Sequence, residues 1–217
     1  MSEWYPIMLN LSGRICVVVG GGPVAERKTR GLLEAGARVR VVSPNVTDAL
    51  AELARAEAVE WIAREYAEGD LAGATLAFAA TDRPETNAQV VSEARAQGMM
   101  ANAADGESEG DFIVPAVLRR GELVLTASAS GAGPAVSARI IRELAQRFGP
   151  EYARYLTTLR RIRAIVRANV DDPSERRTLI AAASTEASLK HWSETIDSLD
   201  DREIVRELTI RALDEKG

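Results

Sequence analysis

The chain has 217 residues, 46% hydrophobic and 27% charged, with a net charge of −5 and a pI of about 5.2. That length holds one sizeable core plus a smaller domain. The acidic balance argues against a nucleic-acid binder, and no apolar run approaches the roughly 20 residues of a membrane span. One cysteine, Cys16, and one histidine, His191, exclude an internal disulfide and a His/Cys metal cluster, so no metal site is expected within one chain. Residues 1–6 carry neither a basic region nor a signal-like apolar stretch, and the expected home is a reducing cytoplasm.

The first strand is read over Ile15–Val19, β-branched and apolar. Gly20-Gly21-Gly22-Pro23 follows at once, and a helix runs from Val24 to Ala35, stopped by Gly36. Val39–Val42 is the second strand, ended by Ser43-Pro44-Asn45; Thr47–Ala56 reads as helix and Val59–Ala63 as a short strand. Thr75–Ala80 is an apolar strand ending at Thr81-Asp82, and Pro84–Gly98 a helix with proline in its first turn. Met99–Ala103 is the next strand. Strands separated by crossover helices give an α/β fold with a parallel sheet covered on both faces. The pattern then changes. Residues 105–111 read as a loop, and Phe112–Ala116 and Glu122–Ala127 as two strands near a Gly121 turn. Pro134–Phe148 is a long helix broken by Gly149-Pro150. The remainder reads as helical, with a break at Asp171-Asp172-Pro173.

The strand, glycine loop and helix at 15–35 form the start of a dinucleotide-binding unit, in the G-x-G-x-x-A form. Gly20 allows the turn, Gly22 lets the backbone approach a pyrophosphate, and Ala25 lets the helix pack closely. The helix N-terminus offers unpaired N–H groups to phosphate; the alternative is a glycine-rich turn without ligand. NAD-specific units usually end the second strand in an acid for the ribose. Here Ser43 stands in that region, so either Ser43 and backbone groups take the ribose or cofactor choice is loose. Arg40 raises NADP, although it equally suits an outward-facing strand residue. Asp82 and Asp105 follow the carboxyl ends of later strands, the edge along which ligands bind in open α/β sheets. Asp105 could take a proton while a hydride leaves for the cofactor, or simply cap a loop. Asp82 suits a cap for the helix at Pro84. Cys16 reads as core, and His191 as a surface residue beside Trp192.

Charge is uneven. Residues 113–170 hold 10 Arg and 3 Glu, a net of +7 by difference. Such an island is either a set of solvated helix faces or a pocket for a polyanionic small molecule. Residues 128–134, Ser-Ala-Ser-Gly-Ala-Gly-Pro, lead into the helix carrying Arg139 and Arg142, as a second anion site or as a cap and hinge.

Several of these runs together resemble the sirohaem-synthesis family of precorrin-2 dehydrogenases, some of which are also sirohydrochlorin ferrochelatases. They are Trp4-Tyr5-Pro6-Ile7, Val19–Lys28, Ala79-Ala80-Thr81-Asp82 with Asn87, Asn102-Ala103-Ala104-Asp105, Phe112–Ala116, and Ser128-x-x-Gly131-x-x-Pro134 with Ala138-Arg139. The resemblance covers about 4–165 and implies NAD-dependent removal of two hydrogens from precorrin-2, with Asp105 as the catalytic carboxylate. It also implies NAD as cofactor despite the missing acid, a homodimer, and a polycarboxylate tetrapyrrole suited to the basic island. Chelation of sirohydrochlorin and a non-catalytic NAD-sensing module are the competing readings.

The expected organisation is a Rossmann-type parallel-sheet domain over 1–114, a small α+β dimerisation segment over 115–150, and a helical C-terminal region over 151–217. The expected cofactor contacts are Gly20, Gly22, Pro23, Val24, Ser43, Pro44, Thr81, Asp82 and Asn102. The expected substrate contacts are Ser128, Gly131, Arg139 and Arg142. Ala129 and Gly133 stand where some relatives have serine, so no role of those serines transfers. The methyltransferase domain of fused relatives has no counterpart in these 217 residues, so synthesis of precorrin-2 itself is not expected.

Overall fold

The structure, a computed structural model, describes residues 4–104, 110–130 and 133–214. It divides into two compact units, 1–114 and 115–217.

The first unit is a five-stranded parallel sheet. Its elements are β1 (Ile15–Val19), α1 (Pro23–Glu34), β2 (Arg38–Val42), α2 (Asp48–Arg55), β3 (Val59–Ile62), β4 (Leu76–Ala79), α3 (Pro84–Ala96) and β5 (Met100–Ala103). The strand order β3-β2-β1-β4-β5 reverses direction between β1 and β4, the switch point where ligands enter such sheets. β1 lies at the centre, and its alternating side chains feed both faces. Cys16 and Val18 join Leu32, Leu50 and Phe78 on the α1/α2 side, and Val17 and Val19 join Val90, Val91 and Ala94 on the α3 side. Burying each of these valines stabilises the fold by roughly 1.5–3 kcal/mol relative to exposure. The Cys16 thiol is fully buried, which pushes its pKa up to about 11, so it serves as core. α1 begins on Pro23, whose missing N–H would be unpaired there in any case. It ends where Gly36 turns at φ 75°.

The second unit holds an antiparallel hairpin, β6 (Ala116–Arg120) and β7 (Leu123–Ala127), followed by α4 (Pro134–Arg147), α5 (Glu151–Asn169), α6 (Pro173–Ala183), α7 (Glu186–Thr195), a short 3-10 turn at Ile196–Ser198, and α8 (Asp201–Asp214). Ile162, Val166, Leu179, Trp192, Ile204 and Leu208 close its helical core. Asp172 separates α5 from α6, its carboxylate accepting from the N–H groups of Ser174 and Glu175.

Two expectations need correction. Phe112–Pro115 is not a strand; the pairing strand is Ala116–Arg120. Pro115 has no N–H to give a ladder, and Phe112 is held otherwise: its ring meets Phe78 edge-on at 5.4 Å and its carbonyl accepts from Asn102. His191 is half-buried instead of being on open surface. Its ring lies against Trp192 and within 2.6 Å of Glu207 Oε1.

Candidate functional site

The carboxyl edge of the sheet is built around three consecutive glycines. Gly20 takes φ 126°, and a Cβ there would stand 2.3 Å from the Ala80 carbonyl oxygen. β1 and β4 can therefore close only over a residue without a side chain. Gly21 is constrained even more tightly: a Cβ would stand 1.9 Å from the Asn45 carbonyl oxygen and 2.8 Å from Ser43 Oγ. The chain after β2 folds onto it, and Thr47 N–H donates to the Gly21 carbonyl at 3.0 Å. Gly22 is the opposite case. It is exposed and has nothing within 4 Å of its Cβ position.

Gly22 is also the N-cap of α1, and no side chain caps that helix. The first-turn N–H groups thus have no side-chain cap at the positive end of the helix dipole. Pro23 is exposed and Val24 half-buried beside it. Glu26 lies in this turn but is drawn aside, accepting from Thr47 Oγ1 at 2.8 Å and from Arg30 Nε at 3.0 Å. Hydrogen bonds from the Thr47 hydroxyl and from Arg30 hold its carboxyl below the usual carboxylate range. This cradle of open glycine and uncapped N–H groups fits the pyrophosphate of a dinucleotide.

The rim after β2 is more committed than the sequence suggests. Ser43 is buried, its hydroxyl donates to the Asn45 carbonyl at 2.7 Å, and its own carbonyl accepts from Trp61 Nε1 at 2.9 Å. Pro44 is exposed beside it. Arg40 points away from the rim, to Glu60 on β3 at 2.9 Å and to the Asp70 carbonyl.

After β4, buried Asn87 ties the turn. Its amide oxygen accepts from Thr81 N–H and from the Thr81 hydroxyl, and its Nδ2 donates to the Thr81 carbonyl. Asp82 is exposed and does not cap α3. The N-cap residue is Arg83, whose N–H donates to Thr81 Oγ1.

At the end of β5, Asn102 is 5% exposed. Its Oδ1 accepts from Lys28 Nζ at 2.5 Å and its Nδ2 donates to the Phe112 carbonyl at 2.7 Å. The Lys28 ammonium also stands 5.4 Å over the Phe78 ring. Burial, with Arg27 nearby, pulls its pKa down to about 8. Lys28 has no role in the sequence reading beyond its place in a motif. A signal was available, because Ala25, Lys28, Thr29 and Leu32 share one face of α1 at helical spacing, and the other three are buried. Asp105 lies outside the described residues.

In the second unit Ser128 is exposed and its Oγ accepts from the Ser130 N–H. Arg139 pairs along α4 with Glu143, and Arg142 is exposed. Gly131 lies outside the described residues. Much of the basic island is paired locally: Arg154 and Arg161 with Asp197, Arg160 with Glu122, and Arg120 with the Phe148 carbonyl. Among the described residues no three His, Cys, Asp or Glu side chains converge as a metal site, and no helix is long and apolar enough to cross a membrane.

Residues 7–116 match the family model described as "Putative NAD(P)-binding". The chain is 39% identical over 176 residues to siroheme synthase 1 of Aeromonas salmonicida, covering 81% of this chain and 37% of that protein. It is 41% identical over 176 residues to siroheme synthase of Stutzerimonas stutzeri, covering 81% of this chain and 38% of that protein. The chain therefore spans less than two fifths of these curated relatives. A solved structure named "SirC, precorrin-2 dehydrogenase" superposes with a TM-score of 0.74 at 27% identity, over 90% of this chain and 100% of that one.

Proposed function

The chain belongs to the family of precorrin-2 dehydrogenases and siroheme synthase N-terminal domains, a family that uses a nicotinamide cofactor, and from that premise we propose that it oxidises precorrin-2 to sirohydrochlorin with NAD. The observation that carries the reading is the cradle at Gly20–Ala25: two glycines packed against backbone and a third left open at an uncapped helix N-terminus.

The bound nicotinamide ring supplies the acceptor for a hydride. Gly22 and the first-turn N–H groups of α1, with Pro23 and Val24, hold the pyrophosphate. Ser43, Pro44, Thr81 and Asp82, at the ends of β2 and β4, would hold the rest of the cofactor. The two hydrogens leave as a hydride and a proton, and Asp105 takes the proton. Asn102 supports the chain three residues before Asp105. Ser128, Gly131, Arg139 and Arg142 receive substrate carboxylates, for which an arginine fork is the fitting donor.

The commitment of Arg40 to Glu60 and Asp70 supports NAD over NADP, because it removes the nearest cation in sequence from the β2 rim. A homodimer is part of the reading. It is supported by Val117 on β6 and by Val136 and Ile140, one turn apart on α4, which are at least a third exposed. Light scattering would give twice the 23.4 kDa chain mass; a monomer at micromolar concentration removes that element.

The direct test mixes protein, precorrin-2 and either NAD or NADP, following sirohydrochlorin absorbance and reduced-cofactor fluorescence together. Equimolar products, faster with NAD, are expected. Cofactor binding without tetrapyrrole binding or turnover would instead mark a sensing module.

A further inference from the structure

Three stretches of chain meet at the end of β5. Residues 101–103 end β5, and residues 110–112 return alongside them. Asp111 N–H donates to the Ala101 carbonyl at 2.7 Å, and Ala101 N–H donates to Asp111 Oδ2 at 2.9 Å. Gly110 is pressed against this stem, where a Cβ would stand 3.0 Å from Ala103 N and 3.2 Å from the Ala101 oxygen. The third link is the Asn102 amide, which donates to the Phe112 carbonyl. Asp105 lies in the chain between the two halves of this stem.

Asn102 can make that third link in only one amide orientation, and Lys28 sets it. An ammonium donates and cannot accept. Lys28 Nζ therefore requires the oxygen of Asn102 on its own side and turns Nδ2 toward Phe112. Lys28 is itself fixed, six residues into α1 and over the Phe78 ring, against which Phe112 also packs. The same helix whose N-terminus forms the dinucleotide cradle thus also orients the stem at the end of β5.

We propose that Lys28 is a positioning residue. Through Asn102 it locks the stem 101–103/110–112, between whose two halves Asp105 lies in the sequence. The proposal deepens the dehydrogenase reading and rests on it for the catalytic consequence, but the locking of the stem stands apart from it.

The test uses the full chain as Lys28→Met, Lys28→Gln and Asn102→Asp, with two readouts. The first is hydrogen exchange at the Ala101 and Asp111 amides, measured against β1 amides in the same protein. Lys28→Met removes the donor and should speed stem exchange about tenfold or more, with β1 unchanged. Lys28→Gln keeps a donor and should restore protection. Asn102→Asp keeps an acceptor for Lys28 but cannot donate to Phe112, and should fail as Lys28→Met does. The second readout is single-turnover oxidation of precorrin-2. Lys28→Met should lose up to about 100-fold in rate, the scale of a roughly 1 Å misplacement, while the dissociation constant for NAD stays within about twofold. Unchanged stem exchange in Lys28→Met overturns the proposal. So does a rate loss matched by an equal loss of NAD affinity, or one that Lys28→Gln does not relieve. If the wild type itself fails to oxidise precorrin-2, the dehydrogenase reading falls, and the exchange data still decide the stem.

Discussion

Two neighbouring glycines make the sharpest contrast at the scale of the residue. Gly21→Ala drives a methyl into the Asn45 carbonyl. It should cost about 1–3 kcal/mol or more by overpacking, and loosen cofactor binding as the 43–47 segment shifts. Gly22→Ala meets no protein atom within 4 Å, so its thermal midpoint should move by no more than a degree or two, while its methyl fills the phosphate cradle and raises the NAD dissociation constant at least tenfold. Thermal melts beside cofactor titrations separate the two. A G-x-G-x-x-A pattern leaves its middle position unassigned, so the need for Gly21 was not visible in sequence; it comes from a loop more than 20 residues on. Lys28 adds a pH dependence. Its pKa falls from 10.5 in the unfolded chain to about 8 in the fold, so between these values the unfolded chain binds more protons and stability rises with pH. Below about pH 8 the charged amine is buried at full cost, on the order of 3 kcal/mol. Lys28→Met should remove that rise between pH 8 and 10.5 in denaturant titrations. It should not be markedly less stable than wild type at pH 7, since the lost bond to Asn102 and the removed burial cost oppose each other. A lysine that costs stability where it sits is consistent with a positional role.

Between elements, Thr47 joins α1 to α2. Its hydroxyl caps α2 at the Leu50 N–H, donates to Glu26 on α1, and its backbone N–H holds Gly21. Thr47→Ala should cost about 1 kcal/mol as a lost cap and weaken NAD binding severalfold, whereas Thr47→Ser should restore both. In the second unit Trp192 is fully buried among α5, α6 and α8 residues, and Trp192→Ala should cost about 3–5 kcal/mol, seen as an early transition with the first unit's cofactor binding retained. Element types were legible from the sequence wherever the period was clear. The β1 run ICVVV, the Pro-started helices and the break before Pro173 stand as read, within a residue or two. Phe112–Pro115 failed because an apolar run can bury its ring and carbonyl without joining a ladder, and periodicity alone does not tell these apart. The Lys28–Asn102 bond spans 74 residues; helix-face counting exposes the buried lysine, but only tertiary contact supplies its partner.

For the molecule as a whole, the sheet order, the glycine cradle and the family match agree on an NAD(P)-binding unit, and the proposed oxidation of precorrin-2 rests on its likeness to siroheme synthases and to a precorrin-2 dehydrogenase. Arg40 illustrates how the whole decides a residue's part: beside the β2 rim in sequence it suggested a 2′-phosphate, and in the sheet it faces Glu60 across the β2–β3 register. About half of the basic island is paired within its own unit, and because Arg139 is paired with Glu143, Arg142 is the clearer of the two α4 candidates for a substrate carboxylate. Neutralising Arg142 should raise KM for precorrin-2 more than it lowers kcat, and less so at high salt, where surface attraction is screened. The most direct measurement is a single-turnover reaction of this chain with precorrin-2 and NAD, run beside Asp105→Asn. The proposed oxidation requires sirohydrochlorin and NADH in equal amounts from the wild type. In Asp105→Asn, NAD still binds but most of the turnover is lost. Absence of NADH with the wild type, or an unimpaired Asp105→Asn, would contradict it.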